Sequence, residues 1–257
     1  MAGLWWLDDC NETAMNVPRC HPSDPKQNQL LAALPDDDLA RWQSHLEPVD
    51  LPRGLVLCES GLPAAYAYFP TTAIVSLLYM TQHGASAEIA VVGNDGVVGI
   101  SLFMGGNATP SRAVVQSAGR GYRLRAQVAK DEFQRGGPAL NMLLRYTQGM
   151  IEQVAQTAMC NRYHSIDQQM CRRLLLGLDR LPTAELAMTQ ELLASLLGVR
   201  REGVTAAALK LQLAGVIRYS RGRIAVLDRV RLEQRTCECY AMSKKEYGRL
   251  PSLPIAA

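Results

Sequence analysis

The stretch "LLGVRREGVTAAALKLQ", residues 196–212, places Arg200, Arg201 and Glu202 directly after a glycine turn and ahead of a helix-forming run. These side-chain types carry a definite chemistry. A guanidinium fits the O6 and N7 acceptors of guanine with two parallel donors, and a carboxylate accepts from the N4 amine of cytosine. Thr205 adds a hydroxyl and a methyl group. Lys210, with Arg218, Arg221 and Arg223 in "GVIRYSRGRIAVL", suits phosphates, which set affinity and register rather than sequence. The bland alternative is a solvated helix end. An arginine near a helix N-terminus opposes the helix dipole, which weighs against it.

Other chemistry is poorly supported. Gly93, Gly96 and Gly99 recur at three-residue steps in "VVGNDGVVG", without a G-x-G-x-x-G or a following strand–helix unit. There is no G-x-S-x-G, Walker-type loop or H-E-x-x-H, and no catalytic residue is assigned. Seven cysteines fall at positions 10, 20, 58, 160, 171, 237 and 239, with no C-x-x-C. Cys237-x-Cys239 is the only close pair, and a single intervening residue is unusual for a shared structural metal. His21, His45, His83 and His164 are scattered. No metal site, iron–sulfur centre or haem is expected. The thiols read as reduced and mostly buried, with Cys237 and Cys239 either redox-active or inert.

The elements that must position the arginines follow from pattern. Residues 1–28 read as a flexible N-terminal arm. "QNQLLAALPDDDLARWQSHLEPVDL" has helical spacing at Leu30, Leu31, Leu34, Leu39 and Trp42, restarted at Pro35. Over residues 51–129, short runs such as "VLCES", "AIVSLLYM", "AEIAVV", "AVVQSA" and "YRLRA" alternate with Gly-rich turns, the texture of an antiparallel sandwich or roll. Residues 29–137 are assigned to that domain. Residues 138–162 return to helix, with Leu140, Leu144, Thr147, Ile151, Val154 and Ala158 at alternating steps of four and three. That coiled-coil register favours a dimer interface over a single covering helix. Leu143, Met150 and Ala155 widen the stripe.

Residues 163–257 hold a helix capped by Ser165, a helix capped by Thr189, and a second helix from Arg200 to Leu213. A two-stranded hairpin across "SRGR" and a final helical segment beyond Leu232 follow. Ala194 must be small where the two helices cross, Gly198 takes the turn, and Val204 plugs the space between them. This is a winged helix-turn-helix pattern. The overall class is α+β: β-roll, long dimerisation helix, winged helix-turn-helix.

This order resembles the Crp–Fnr superfamily, named for the cyclic-AMP receptor protein and the fumarate–nitrate regulator, over about residues 28–230. "LLGVRREGVT" is similar to the family's Leu-Gly-x-x-Arg-Glu-x-Val-[Ser/Thr] helix, which implies that Arg201 and Glu202 read bases. The family often carries a further arginine four residues after the Glu. Ala206 stands there, so the preferred site should differ. The resemblance implies a cyclic-nucleotide-binding-like roll, a two-fold-symmetric duplex DNA site, a homodimer, RNA polymerase as partner and a small-molecule or nucleotide effector.

In "GVVGISLFMGGNATPSRAVV", Gly96 and Gly99 match the glycines of the family's phosphate cassette, and Arg112 with Ala113 match its phosphate end. Val97 replaces the Glu that holds the ribose hydroxyl. It cannot accept that hydrogen bond, which disfavours cyclic AMP. Arg112 is either an anion grip or an arginine satisfied by local carbonyls or by a carboxylate across the roll.

Bulk properties agree with this reading. Residues 1–160 carry 11 Lys and Arg against 15 Asp and Glu, whereas residues 161–257 carry 16 against 9. The basic part is the one expected to meet a polyanion. No apolar run is long enough to span a membrane, and the acidic start is unlike a signal peptide, so a cytoplasmic location is expected. A module whose basic domain contacts protein or RNA is the alternative function.

Overall fold

The computed structural model describes residues 24–106, 108–181 and 183–249, with side chains as far as Lys245. Most of the arm read over 1–28, with Cys10, Cys20 and His21, lies outside the described residues. Its last part is not loose. Asn28 is fully buried, accepts from the amides of Leu30 and Leu31, and donates to the carbonyls of Pro70 and Gly96 at 2.8 and 2.9 Å. It caps α1 (Gln29–Ala32), and α2 (Asp36–Gln43) follows with three acidic residues in its first turn, where the helix dipole favours them. Leu30, Leu31, Leu34, Leu39 and Trp42 all reach the core, with Trp42 stacked on Phe103 at 5.6 Å.

The roll is two antiparallel sheets. One runs β1 (Glu47–Leu51), β7 (Gly119–Arg125), β3 (Tyr66–Pro70). The other runs β2 (Val56–Cys58), β6 (Arg112–Ser117), β4 (Ile74–Met80), β5 (Ser86–Val92). The second sheet contains four of the strand runs legible in sequence, and the fifth, "YRLRA", lies in β7 of the first. β1 corrects the helical reading through Leu51: it is an edge strand, where Pro48 can sit without breaking a ladder. The roll closes with α3 (Ala126–Arg135) and passes into α4 (Pro138–Tyr163).

α4 divides its circumference. Met142, Leu143, Tyr146, Met150 and Gln153 are buried against the roll, and the Tyr146 hydroxyl donates to the Val97 carbonyl at 3.2 Å. Leu144, Ala155, Ala158 and Met159 face outward, as does Ile151 at 63% exposure.

A second core lies beyond it, built from α5 (Ile166–Leu178), α6 (Gln190–Leu197) and α7 (Arg201–Leu213) around Met170, Leu174, Leu193, Val204 and Leu211. α5 begins with a capping box between Ser165 and Gln168. The wing has three strands rather than two: β8 (Glu185–Ala187) pairs with β10 (Arg223–Val226), which pairs with β9 (Ile217–Ser220). α8 (Arg229–Arg235) and α9 (Glu238–Arg249) end the described chain, with Thr236 extended between them. α9 packs on α4 and α5. Among the described residues no helix is long and apolar enough to cross a membrane.

The two cores are joined by buried charge. Arg173 of α5 and Glu88 of β5 are only 4% and 6% exposed and meet side-on. Arg173 Nη2 donates to Glu88 at 3.0 Å and to Gln116 at 2.6 Å, and the Ser76 hydroxyl donates to the same carboxylate. Arg180 pairs with Asp95 at 2.7 Å and donates to the Leu176 carbonyl. Gly93 leaves room for this arginine, since a Cβ there would lie 2.8 Å from its side chain. Breaking one partner of such a pair strands the other charge. Arg173→Ala should therefore lower stability by about 3–5 kcal/mol in denaturant titration. Arg173→Met combined with Glu88→Leu should recover most of that loss.

Candidate nucleic-acid interface

The local geometry of α6 and α7 follows from a few residues. The Thr189 hydroxyl accepts from the Leu192 amide at 3.1 Å and starts α6. Gly198 ends it in the left-handed region at φ +66°, and its amide returns to Ser195. Ala194 and Val204 are buried at the crossing. Gly203 lets α5 approach closely, since a Cβ there would lie 2.6 Å from the terminal methyl of Ile166, which would have to turn aside. The chain then enters α7 through Arg200, in extended conformation and with no side-chain cap. The first amides of α7 thus remain available to an anion.

α7 buries Val204, Ala207, Ala208 and Leu211 and exposes Arg201, Glu202, Thr205, Ala206 and Lys210 at helical spacing. Two of the exposed groups have protein partners. The Thr205 hydroxyl lies 2.7 Å from Gln190 Oε1 and 3.0 Å from the Arg201 carbonyl, so it is held against the start of α6. Lys210 pairs with Asp167 at 2.9 Å, a solvated pair that a phosphate can displace at little cost. Gln190, which the sequence reading did not single out, belongs to this surface. Its position directly after the Thr189 cap was the available signal.

The wing brings three arginines together. Arg218, Arg221 and Arg223 line one shallow concavity with Ser220 and Glu185. Tyr219 donates its amide to Gln212 of α7 at 2.9 Å, which fixes the wing against the helix. At the tip, Arg221 has φ +47° and Gly222 φ +72°. A two-residue turn with both central residues left-handed matches strand twist, but favours Asn or Gly at the first position. Arg221 is the one non-glycine residue with positive φ among the described residues. An unfavourable backbone is thus found where the wing turn carries a cation.

The cassette residues of the roll are not gathered into one site. Val97 is buried in the core, and its carbonyl takes the Tyr146 hydroxyl. Gly96 lies beneath the same tyrosine, where a Cβ would sit 2.4 Å from its oxygen. Gly99, at φ +89°, caps the short turn Ile100–Met104. Ala113 is buried in β6, opposite Cys58 and Leu77. Arg112 pairs with Glu59 across the roll at 3.1 Å, a partly exposed ion pair.

Comparison with known proteins agrees with this geometry. The family model of the Crp-like helix-turn-helix domain matches residues 168–235. That segment is a Crp-like helix-turn-helix domain. The fold of the described residues is shared with solved structures of Crp–Fnr regulators. A transcriptional regulator assigned to the crp/fnr family from Eubacterium rectale superposes with TM-score 0.65 at 18% identity, covering 81% of this chain and 98% of the other. FixK2 from Bradyrhizobium japonicum gives 0.62 at 17%, covering 75% and 98%. The c-di-GMP responsive global regulator CLP of Xanthomonas campestris gives 0.60 at 16%, covering 76% and 100%. No curated protein matches the chain.

Backbone strain at Arg221 leads to a two-sided expectation. Arg221→Gly should raise stability by about 1 kcal/mol through relief of the left-handed penalty. The same substitution should weaken duplex binding, measured by thermal denaturation and gel shift on one preparation.

Proposed function

We propose that the chain is a homodimeric, cytoplasmic transcription regulator that binds duplex DNA at a two-fold-symmetric site. The observation that carries this reading is the outward face of α7 within a Crp-like helix-turn-helix domain, beside a wing bearing three arginines. Arg201 and Glu202 read base edges in the major groove. Arg200, Lys210, Arg218, Arg221 and Arg223 take phosphates, and Thr205 supports Arg201 while offering its methyl outward. The pairing of Arg112 with Glu59 and the buried Val97 support an effector other than cyclic AMP, or none. RNA polymerase is the partner such a regulator would meet at a promoter.

Arg201→Ala should cost on the order of 1–3 kcal/mol at one base position in a selection from random duplexes. Arg221→Ala should weaken all sequences alike and reduce the salt slope of binding by about 1. Unchanged sequence preference in Arg201→Ala overturns the base-reading role. Salt-sensitive binding to RNA or protein, with none to duplex DNA, overturns the function itself.

The dimer rests on the outward stripe of α4, which exposes Leu144 and Ile151. Each substitution in a two-fold interface is felt twice, and a buried Ile contributes about 1.5–3 kcal/mol. Ile151→Lys should weaken self-association roughly a hundredfold or more in sedimentation equilibrium.

A further inference from the structure

Four side chains scattered in sequence meet where α4 ends. Cys160 lies in the last turn of α4, His164 is its C-cap four residues on, and Cys237 and Cys239 open α9. Their ligand atoms all fall within 4.8 Å of one another. Cys160 Sγ is 3.6 Å from Cys237 Sγ, and Cys239 Sγ is 3.4 Å from His164 Nδ1. All three thiols are buried.

These separations have a specific meaning. A zinc ion with Zn–S of about 2.3 Å and Zn–N of about 2.0–2.1 Å in a tetrahedron has S–S edges of about 3.8 Å and S–N edges of about 3.5 Å. The observed edges are close to both. A disulfide needs its sulfurs at about 2.05 Å, far shorter than 3.6 Å. The set is also too tight to enclose a multi-iron cluster.

The surroundings are those of a ligand set. His164 turns Nδ1 to the sulfurs and Nε2 to Glu238, at 3.3 Å, the carboxylate–histidine arrangement that fixes the tautomer of a metal-bound imidazole. Gln156 Nε2 donates to Cys239 Sγ at 2.8 Å. Cys237 and Cys239 sit at the N-terminus of α9, whose dipole favours thiolates. Three thiolates around a divalent ion leave one net negative charge. Buried Arg172 stands beside Cys160 to balance it, with Nη2 donating to Thr157 and Ser243 and its Nε making no hydrogen bond among the described residues.

We infer that Cys160, His164, Cys237 and Cys239 hold a zinc ion in a closed tetrahedral site that clamps α9 to the junction of α4 and α5. On binding, each thiol releases its proton to solvent and forms a Zn–S bond, with no change of oxidation state. All four positions are filled by protein, so the site is structural and leaves no position for a substrate.

The test uses the full chain purified under reducing conditions, with metal content measured by mass spectrometry and the apo protein titrated with Zn²⁺ and Co²⁺. About one zinc per chain, and the intense thiolate charge-transfer and tetrahedral d–d bands of the cobalt form, are expected. Glu238→Gln should bind zinc on the order of tenfold to a hundredfold more weakly, while leaving the four ligands in place. Cys239→Ser should lose the ion, whereas Cys58→Ala, remote in the roll, should keep it. A folded, zinc-free protein whose melting temperature ignores added zinc overturns the site. So do octahedral cobalt spectra, or a native Cys160–Cys237 disulfide in peptide mapping.

Discussion

The placement of everything that could touch DNA depends on two buried ion pairs, Arg173–Glu88 and Arg180–Asp95. A charge withdrawn from water is tolerated only while its partner and hydrogen bonds are in register. The two pairs therefore admit little sliding between the roll and the winged unit. Their roll-side partners are the strand β5 and the turn that follows it. The same strand meets the reading unit directly: Ser86 Oγ lies 2.8 Å from Ser195 Oγ of α6, and the position of Gly198 adjoins Ala87. A displacement of β5 is thus a displacement of the turn that aims α7.

The reading unit was the most legible part of the chain. Gly198, Ala194 and Val204 are constrained by sterics so local that spacing alone reveals them, and Thr189 and Ser165 announce their helices by capping. The length of α4 was legible for the same reason, since helical period is a property of one element. Partnerships between distant segments were not legible. β1 was hidden because a leucine-containing run after a helix continues the apparent period, and only pairing with β7 makes it a strand. The third wing strand, β8, is three residues long and has no periodicity of its own. Arg112 was left undecided because its partner, Glu59, is 53 residues away.

The cysteines mark the same boundary. Cys237-x-Cys239 read as a spacing unusual for a shared structural metal, and its neighbours in space, Cys160 and His164, lie more than seventy residues earlier. Cys160 read as a buried thiol and His164 as one of four scattered histidines. In a helix, residues four apart share a face, so Cys160 and His164 were already a potential pair. What the sequence lacked was any sign that the chain's last helix returns to that face.

One turn of α5 explains why that return is consequential. "CRR", Cys171 to Arg173, resembles the polar edge of an amphipathic helix, and arginines are usually solvated. Here all three residues are buried, each toward a different neighbour. Cys171 enters the core of the winged unit, and burial pushes its thiol up to about 12. Arg172 turns to α4 and α9 through Thr157 and Ser243, and Arg173 turns to the roll through Glu88 and Gln116. α5 is the member on which roll, long helix, terminal helix and the α6–α7 pair all bear. Fixing α9 to the start of α5 restrains the helix that carries Arg173 and ends two residues before Arg180. The cysteine–histidine cluster and the exposed face of α7 are then two ends of one packed path through α5.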